Sequence, residues 1–168
     1  MAIGEIFSVL KQVPALLKLK RGMTPRSLDE HDCFARQVEN HAENYADGVA
    51  AIFEGQSVSW GQLNAAANRY AGRLLEMGVT RGDVVSVFME NRIEFLESVI
   101  ALNKIGATGG LINTNLRGRP LTHCISVTDS KKCIFGAELV EAIQEVKGEL
   151  NLDEGSDYLF VPDGNLDT

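Results

Sequence analysis

Residues 82–117, GDVVSVFMENRIEFLESVIALNKIGATGGLINTNLR, decide the fold. Val84–Met89 is an apolar run that is rich in β-branched residues and too short for a helix, which predicts a strand buried on both faces. The apolar spacing from Arg92 onward predicts a helix, and Gly106 ends it as a left-handed cap. Ala107–Asn113 predicts a second strand. A strand, helix and strand in this order predict a parallel pair with helices on both faces of the sheet.

The helix of this unit has an apolar stripe with three- and four-residue steps. The stripe consists of Ile93, Phe95, Leu96, Val99, Ile100 and Leu102. Four charged residues, Arg92, Glu94, Glu97 and Lys104, fall between the apolar positions. The pattern therefore predicts one buried stripe, with the charged residues outside it.

The flanking sequence extends the α/β pattern in both directions. Further helices are predicted at residues 29–45, 61–77, 120–128 and 138–150. Further strands are predicted at residues 49–53, 56–60, 131–135 and 158–161. The first two strands form a hairpin around Glu54-Gly55, and the last is an edge strand. Ser27 or Asp29 would cap the first of these helices, and Ser59 the second.

Charge divides the chain into three segments. Residues 1–26 are a basic amphipathic segment and linker with five basic residues against one acid, net +4, and the rest of the chain has net −11. Residues 27–150 are the α/β scaffold, and residues 151–168 are an acidic end with five acids.

The basic segment has an amphipathic pattern. Within residues 3–19, Lys11 and Lys18 lie on one helical face, and the opposite face carries Ile3, Ile6, Phe7, Leu10, Val13 and Leu17. Such a segment can lie on an anionic membrane surface, through residues 3–21, or pack on the protein's own surface; the pattern leaves both readings open. No apolar run is long enough to span a bilayer, and the N-terminus lacks the features of a secretory signal.

Composition is that of an ordinary globular domain, with 45% hydrophobic and 23% charged residues. The net charge of −7 argues against a nucleic-acid partner, because such binding needs a basic surface. Cys33, Cys124 and Cys133 are odd in number and lack CxxC spacing, which argues against a disulfide framework. The sequence thus predicts a reduced, cytoplasmic protein; peripheral attachment to a membrane stays open.

No catalytic or metal site is visible from spacing. Gly106, Gly109 and Gly110 follow a helix and precede a strand, the reverse of a phosphate loop, so a helix cap and close packing are favoured. The residues His31, Cys33, His123 and Cys124 match no common metal site. The hydroxyls of Ser59, Ser126 and Thr128 have no local activating base.

Two motifs resemble those of the adenylate-forming enzymes. Residues 57–79, SVSWGQLNAAANRYAGRLLEMGV, resemble the first core motif of that family, with Trp60 and Gln62-Leu63 opening a long helix. Residues 82–118 resemble the second conserved region, and MENRIEF and LINTNLRG are similar to the fatty-acid-transport-protein group of long- and very-long-chain acyl-CoA synthetases. The resemblance covers residues 30–148 in order and implies the N-terminal subdomain of that fold.

In that family the complete enzyme joins a fatty acid to ATP as an acyl-adenylate and then transfers the acyl group to coenzyme A, with Mg²⁺ neutralising phosphate charge. The family's phosphate loop, magnesium motif, ribose-binding Asp and C-terminal Lys lie downstream of this region and are absent from the sequence. The resemblance therefore implies an N-terminal fragment, inactive alone, whose partner is the remainder of the same polypeptide.

The resemblance implies one set of binding residues. The loop after the second strand lies near the coenzyme A nucleotide in related enzymes, and the matching residues here are Asn113, Thr114, Asn115 and Arg117. Their amide and guanidinium donors could meet an adenine edge or a phosphate. The alternative is that Asn113, Thr114 and Asn115 cap the following helix.

Two other functions compete with the ligase fragment. The first is a stand-alone interaction or membrane-docking module that uses the basic N-terminal segment. The second is a flavodoxin-like nucleotide binder, which is disfavoured because no glycine-rich turn connects a strand to a helix.

Overall fold

The protein is described by a computed structural model in which residues 32–163 are continuous and Val13, Pro14, Leu17, Leu19 and Met23 are described singly. The chain divides into two units, Met1–Asp32 and Cys33–Thr168. The five single residues of the first unit are helical. The rest of the predicted segment 3–21, the predicted caps Ser27 and Asp29, and His31 lie outside the described residues. Within the described part, no helix is both long and apolar enough to cross a bilayer.

The second unit alternates helices and strands. Its α-helices are α1 (Phe34–Asn44), α2 (Trp60–Glu76), α3 (Ile93–Lys104), α4 (Gly118–Val127) and α5 (Val140–Val146). Its strands are β1 (Val49–Phe53), β2 (Gln56–Ser59), β3 (Val84–Phe88), β4 (Thr108–Leu111), β5 (Lys132–Gly136) and β6 (Tyr158–Val161). Short 3-10 turns, Ala137–Leu139 and Lys147–Glu149, flank α5, so the helix predicted at residues 138–150 is shorter than expected.

Two sheets organise this unit. The strands β1 and β2 form an antiparallel hairpin around Glu54-Gly55, both with positive φ. The other four strands are parallel in the order β4-β3-β5-β6, with Val85 opposite both Gly109 and Lys132. The predicted α/β class, parallel sheet and N-terminal hairpin are confirmed.

The parallel sheet has a hydrophobic core on each face. The core on one face includes Val85 and Val87 of β3 with α2 and α3 residues such as Leu74 and Leu102. The core on the other face includes Phe88 with residues of α4 and α5. Because successive side chains of a strand point to opposite faces, β3 is buried on both sides, as its apolar run predicts. A third cluster joins α1 and the hairpin to α2 and α3.

The helix α3 departs from its predicted pattern. Glu94 and Glu97, expected outside the buried stripe, are 9% and 5% exposed. The Lys104 ammonium forms an ion pair with Glu39 of α1, and its side chain is 8% exposed. Burial is not confined to one stripe because α3 is enclosed by the sheet, by α2 and by α1. Two residues of the predicted stripe, Ile100 and Leu102, are buried, and the other four are partly exposed.

Helix ends follow local chemistry where a cap is available. At the start of α2 the Ser59 hydroxyl accepts the Gln62 N–H at 3.2 Å, and the Gln62 side chain accepts the Ser59 N–H at 2.9 Å, which is a capping box. The end of α3 is followed by Gly106 with φ of +71°, as predicted. In contrast, α1 begins at Phe34, later than predicted, and its Ala35 N–H donates to the Asn103 side chain of α3 at 2.8 Å.

Candidate functional site

The carboxyl ends of the four parallel strands share one edge of the sheet. From β3 the chain passes through α3 to β4 on one side, then through α4 to β5 on the other side of β3. The direction of winding therefore reverses between β3 and β5. Loops outside such a reversal form the usual ligand site of open α/β sheets.

The reversal between β3 and β5 is filled by protein groups. The Glu138 carboxylate accepts the Glu90 N–H at 2.8 Å and a hydrogen bond from Arg92 Nη1 at 3.1 Å. A Cβ added to Gly136 would lie 2.2 Å from Glu138 Oε2. The carboxylate therefore folds back over the end of β5 into space that only glycine leaves free.

Arg92 connects three loops at this edge. Besides Glu138, its Nη1 donates to Asp163 Oδ1 at 2.6 Å, and its Nη2 donates to the carbonyls of Val161 at 3.2 Å and Pro162 at 2.6 Å. These contacts join the ends of β3, β5 and β6. We call Arg92, Glu138, Asp163 and the Glu90 N–H the rim clamp.

Two buried acids of α3 lie beside the clamp. Arg92 Nε is 3.2 Å from Glu94 Oε2, although Nε has no partner with hydrogen-bond geometry among the described residues. Burial first, and then the Glu94 charge, raise the pKa of Glu97 to about 7, against smaller effects of Arg69 and Arg92. Burial also raises the pKa of Tyr70 on α2, whose hydroxyl has no partner in the described part of the chain.

An open cleft lies next to the clamp, between the loops that follow β3 and β4. Its volume is about 530 Å³. The cleft is lined by Met89, Glu90, Asn91, Phe95, Leu111, Ile112, Asn113 and Thr114. It combines an apolar surface with carboxamide, hydroxyl and carboxylate groups, a mixture suited to a small organic ligand with polar substituents.

The four predicted binding residues fall into two pairs. Asn113 and Thr114 line the cleft, whereas Asn115 and Arg117 are not among its lining residues. Asn113 Oδ1 accepts the Asn115 N–H at 3.0 Å, and Arg117 Nη1 donates to the carbonyls of Thr114 and Leu116, both at 2.7 Å. The second pair thus orders the loop. Coenzyme binding by any of the four residues stays a prediction.

The alternative role of these residues as a helix cap is wrong. The N-cap position of α4 is Arg117, and no side-chain hydrogen bond caps the helix there. The Asn113 carboxamide oxygen instead closes a turn within its own loop.

Sequence reasoning missed the rim clamp. The sequence pattern puts Arg92 among the charged residues outside the stripe of α3 and indicates no role for Glu138 or Asp163. The partners are 46 and 71 residues away from Arg92, so no local spacing connects them. Their positions could have indicated the clamp, because Arg92, Glu138 and Asp163 each follow the carboxyl end of a predicted strand.

The described residues do not fit a phosphate loop or a metal centre. Gly106 caps α3, and Gly109 and Gly110 lie within β4, where no helix N-terminus follows them directly. In the described ranges no three His, Cys, Asp or Glu side chains are grouped as metal ligands. The three cysteines are free thiols, with Cys33 exposed and Cys133 buried.

Comparisons with known proteins agree on one family. The family described as AMP-binding enzyme matches residues 38–165. Long-chain fatty acid transport protein 1 of Bos taurus is 37% identical over 172 residues, covering 96% of this chain and 26% of that protein. Medium/long-chain-fatty-acid–CoA ligase FadD6 of Mycobacterium tuberculosis is 36% identical over 107 residues, covering 64% of this chain and 18% of that protein. The chain thus spans about a quarter or less of the length of these relatives.

Solved structures share the fold. A putative long-chain-fatty-acid CoA ligase from Rhodopseudomonas palustris superposes with a TM-score of 0.71 at 24% identity, covering 80% of this chain and 34% of that one. The N-terminal domain of FACL13 from Mycobacterium tuberculosis superposes with a TM-score of 0.66 at 24% identity, covering 76% of this chain and 33% of that one. At this identity the superpositions establish the common α/β architecture.

Proposed function

This chain belongs to the AMP-binding enzyme family, and from that premise we propose that it is the N-terminal part of an ATP-dependent fatty acid–CoA ligase. The complete protein would convert a fatty acid, ATP and coenzyme A into acyl-CoA, AMP and pyrophosphate through an acyl-adenylate. The family match over residues 38–165 carries this proposal. The names of the bovine and mycobacterial relatives support a medium- to long-chain fatty acid as the acyl substrate.

We assign the coenzyme A side of the active site to the open cleft. Asn113 and Thr114 line it with polar groups, and the Asn113 Nδ2 group makes no hydrogen bond among the described residues. A carboxamide can meet an adenine edge or a phosphate oxygen. Asn115 and Arg117 would support this role indirectly by ordering the loop.

We assign no step through ATP or Mg²⁺ to this chain. Its described residues contain neither a phosphate cradle nor a group of metal ligands. The adenylation chemistry would therefore come from the rest of the polypeptide, and the 168-residue chain would be inactive alone.

Two assays test the proposal. The complete polypeptide should form AMP and acyl-CoA from oleate, ATP and coenzyme A, while the purified 168-residue chain should give no fatty-acid-dependent ATP–pyrophosphate exchange. Exchange by the short chain would overturn its assignment as a scaffold, and absence of both products from the complete protein would overturn the ligase. A reading frame that stops after Thr168 would favour a stand-alone interaction module.

The cleft assignment has its own test in the complete polypeptide. Asn113→Ala should raise the KM for coenzyme A about two- to tenfold, the range expected for one lost hydrogen bond, and leave fatty-acid-dependent exchange unchanged. Asn115→Ala is the matched control, because the same change is made outside the cleft lining. An equal rise in KM for both variants would contradict direct contact by Asn113.

We also propose that residues 3–21 attach the protein to anionic membrane surfaces. The net charge of +4 on residues 1–26 supports this, as does the helical conformation of the described residues in that range. Basic side chains near a membrane surface attract anionic headgroups, and apolar side chains add burial.

A further inference from the structure

We propose that Arg92 is the positioning residue of the cleft rim, and that Glu97 is a proton-binding group that acts on the rim through Arg92. An effect of Glu97 and Arg92 on ligand binding rests on the proposed function of the cleft. The coupling itself rests only on contacts within the chain, so it can be tested without a ligand.

The rim depends on a single guanidinium group. Arg92 donates hydrogen bonds to two carboxylates and two backbone carbonyls, which hold the loops after β3, β5 and β6 together. Through Glu138 it also fixes the N–H of Glu90, and Glu90 lines the cleft. The position of this wall of the cleft is therefore tied to the Arg92 side chain.

Arg92 interacts with carboxylates on two sides, the rim of the cleft and the helix α3. The carboxylates of Glu138 and Asp163 lie on the rim side, and the Glu94 carboxylate lies on the α3 side at 3.2 Å from Nε. The rim contacts are hydrogen bonds, whereas the Glu94 contact is ionic and lacks hydrogen-bond geometry. One positive charge thus faces three carboxylates before Glu97 is considered.

A charge on Glu97 would change the balance between the contacts of Arg92 with the rim and its contact with α3. Glu97 is 5% exposed and lies one turn after Glu94 on α3. The ionisable groups that act on it are Arg69 of α2 and Arg92 and Glu94 near its own helix start, and Tyr70 of α2 is coupled to both acids. From α1, Glu39 contacts α3, but at its opposite end through Lys104. The strands β3 and β4, which also pack on α3, carry no ionisable side chain.

Deprotonation of Glu97 places a second negative charge beside Glu94. Like charges in a poorly hydrated site repel each other, and the Arg92 guanidinium, whose side chain is 11% exposed, already lies 3.2 Å from the Glu94 carboxylate through Nε. The guanidinium should then move toward α3 and release part of its hold on Glu138 and Asp163. Burial and the Glu94 charge raise the pKa of Glu97 to about 7, so this change falls close to neutral pH.

NMR of the 168-residue chain without ligand tests the coupling. The ¹³C signal of the Glu97 carboxyl and the ¹⁵N signals of the Glu90 amide and Arg92 Nε are followed from acid to alkaline pH. We expect all three to titrate with one midpoint near 7. The exchange protection of the Glu90 amide, corrected for the intrinsic rate, should fall by about threefold or more above that midpoint.

The Glu97→Gln variant keeps the side-chain shape and removes the titration, so the Glu90 and Arg92 signals should become independent of pH near neutrality. Glu76→Gln is the matched control, because Glu76 is an exposed acid of α2 paired with Arg73, and it should titrate as the unmodified chain does. A Glu90 titration that persists in Glu97→Gln would overturn the proposal. Different midpoints for Glu97 and Glu90 in the unmodified chain would overturn it too, even if the variant failed to fold.

Measurements of coenzyme A binding distinguish a failure of this inference from a failure of the proposed function. Titration calorimetry of the complete polypeptide below and above the midpoint should give weaker coenzyme A binding at the higher pH for the unmodified protein, relative to its Glu97→Gln variant measured under the same conditions. Equal pH dependence of the two proteins would overturn Glu97 as a regulator of the cleft. No binding at either pH would overturn the coenzyme assignment, while the ligand-free titration would still decide the coupling.

Discussion

Glu97 holds a carboxyl group where little water reaches it. The cost of burying its charge is met only in part by Arg69 and Arg92, since Glu94 lies on the same helix and Arg92 is shared with the rim clamp. A carboxyl in this position favours its protonated form. Stability and the conformation of the rim should therefore depend on pH through this one residue.

Glu97→Gln should change the pH dependence of stability. The pKa of Glu97 is about 7 in the folded chain and 4.5 as its ordinary value, so the folded state binds more protons between these limits and loses stability as pH rises through them. We expect the variant to match the unmodified chain at acidic pH and to be more stable by about 1–2 kcal/mol at alkaline pH, after allowance for residual solvent screening. Urea unfolding across this range measures the difference. A constant difference at all pH values would contradict the role of Glu97.

Gly136→Ala should disconnect the rim clamp. The added Cβ would lie 2.2 Å from the Glu138 carboxylate, and the flexible Glu138 side chain can move away at the cost of its bonds to Arg92 and the Glu90 N–H. We expect a loss of about 1 kcal/mol in the free energy of unfolding and loss of exchange protection at Glu90. The control is Gly72→Ala in α2, where a Cβ meets no atom within 4 Å and helix propensity should raise stability by about 0.5–1 kcal/mol.

At the scale of elements, α2 behaves as its sequence pattern predicts and α3 does not. The helix α2 has a capping box at its start and one buried face, on which Leu63, Ala67, Tyr70, Ala71 and Leu74 lie. The apolar spacing of the helix predicted at residues 61–77 also places Leu75 on this stripe, but Leu75 is 55% exposed, so that placement is wrong. Because solvent lies on one side of α2, its polar and apolar residues separate by period, whereas α3 is enclosed on several sides and mixes them.

Leu74 and Leu75 are adjacent leucines that differ in burial, so the same substitution at each position measures the effect of burial alone. Leu74 is 0% exposed, so Leu74→Ala should cost about 2–5 kcal/mol through lost burial and the cavity left behind. Leu75→Ala should cost less than about 1 kcal/mol, because a half-exposed side chain loses little burial. Chemical denaturation of both variants measures the difference. Similar losses would mean that the buried face of α2 is assigned incorrectly.

Ser59→Ala should weaken the start of α2. It removes the acceptor of the Gln62 N–H, one half of the capping box. We expect a loss of about 0.5–2 kcal/mol in thermal or urea unfolding. Ser57→Ala, a change of the same residue type on the exposed part of β2, is the control and should alter stability little. A loss no larger than that of the control would contradict the cap.

At the scale of the whole molecule, the described residues form a parallel sheet and include neither a phosphate cradle nor a group of three metal ligands. The sheet order β4-β3-β5-β6 creates the reversal at which doubly wound proteins bind ligands, yet the rim clamp fills that point and the open cleft lies beside it. The alignments with the two relatives named above cover only 26% and 18% of their lengths. If the proposed function is correct, the adenylation chemistry would come from a part of the polypeptide outside these 168 residues.

Deletion of residues 1–22 tests the proposed membrane attachment. Each basic residue near an anionic surface contributes about 1 kcal/mol, so removal of four of them should greatly reduce co-sedimentation with phosphatidylserine vesicles at low salt. Phosphatidylcholine vesicles are the control for binding that does not depend on charge. Unchanged sedimentation with the anionic vesicles would remove this proposal. A reduction that is equal for both lipids would assign the effect to apolar burial alone.

Sequence alone determined the α/β class, the parallel pairing around Val84–Met89, the hairpin, the Ser59 cap and the family resemblance. These features depend on residues close together in the chain, where period, turn residues and caps act directly. Only the tertiary structure decided that Glu94 and Glu97 are buried, that Asn113 and Thr114 line a cleft while Asn115 and Arg117 do not, and that Arg92 joins three loops. Burial and ion pairing depend on which elements enclose a residue, and these partners come from distant parts of the chain.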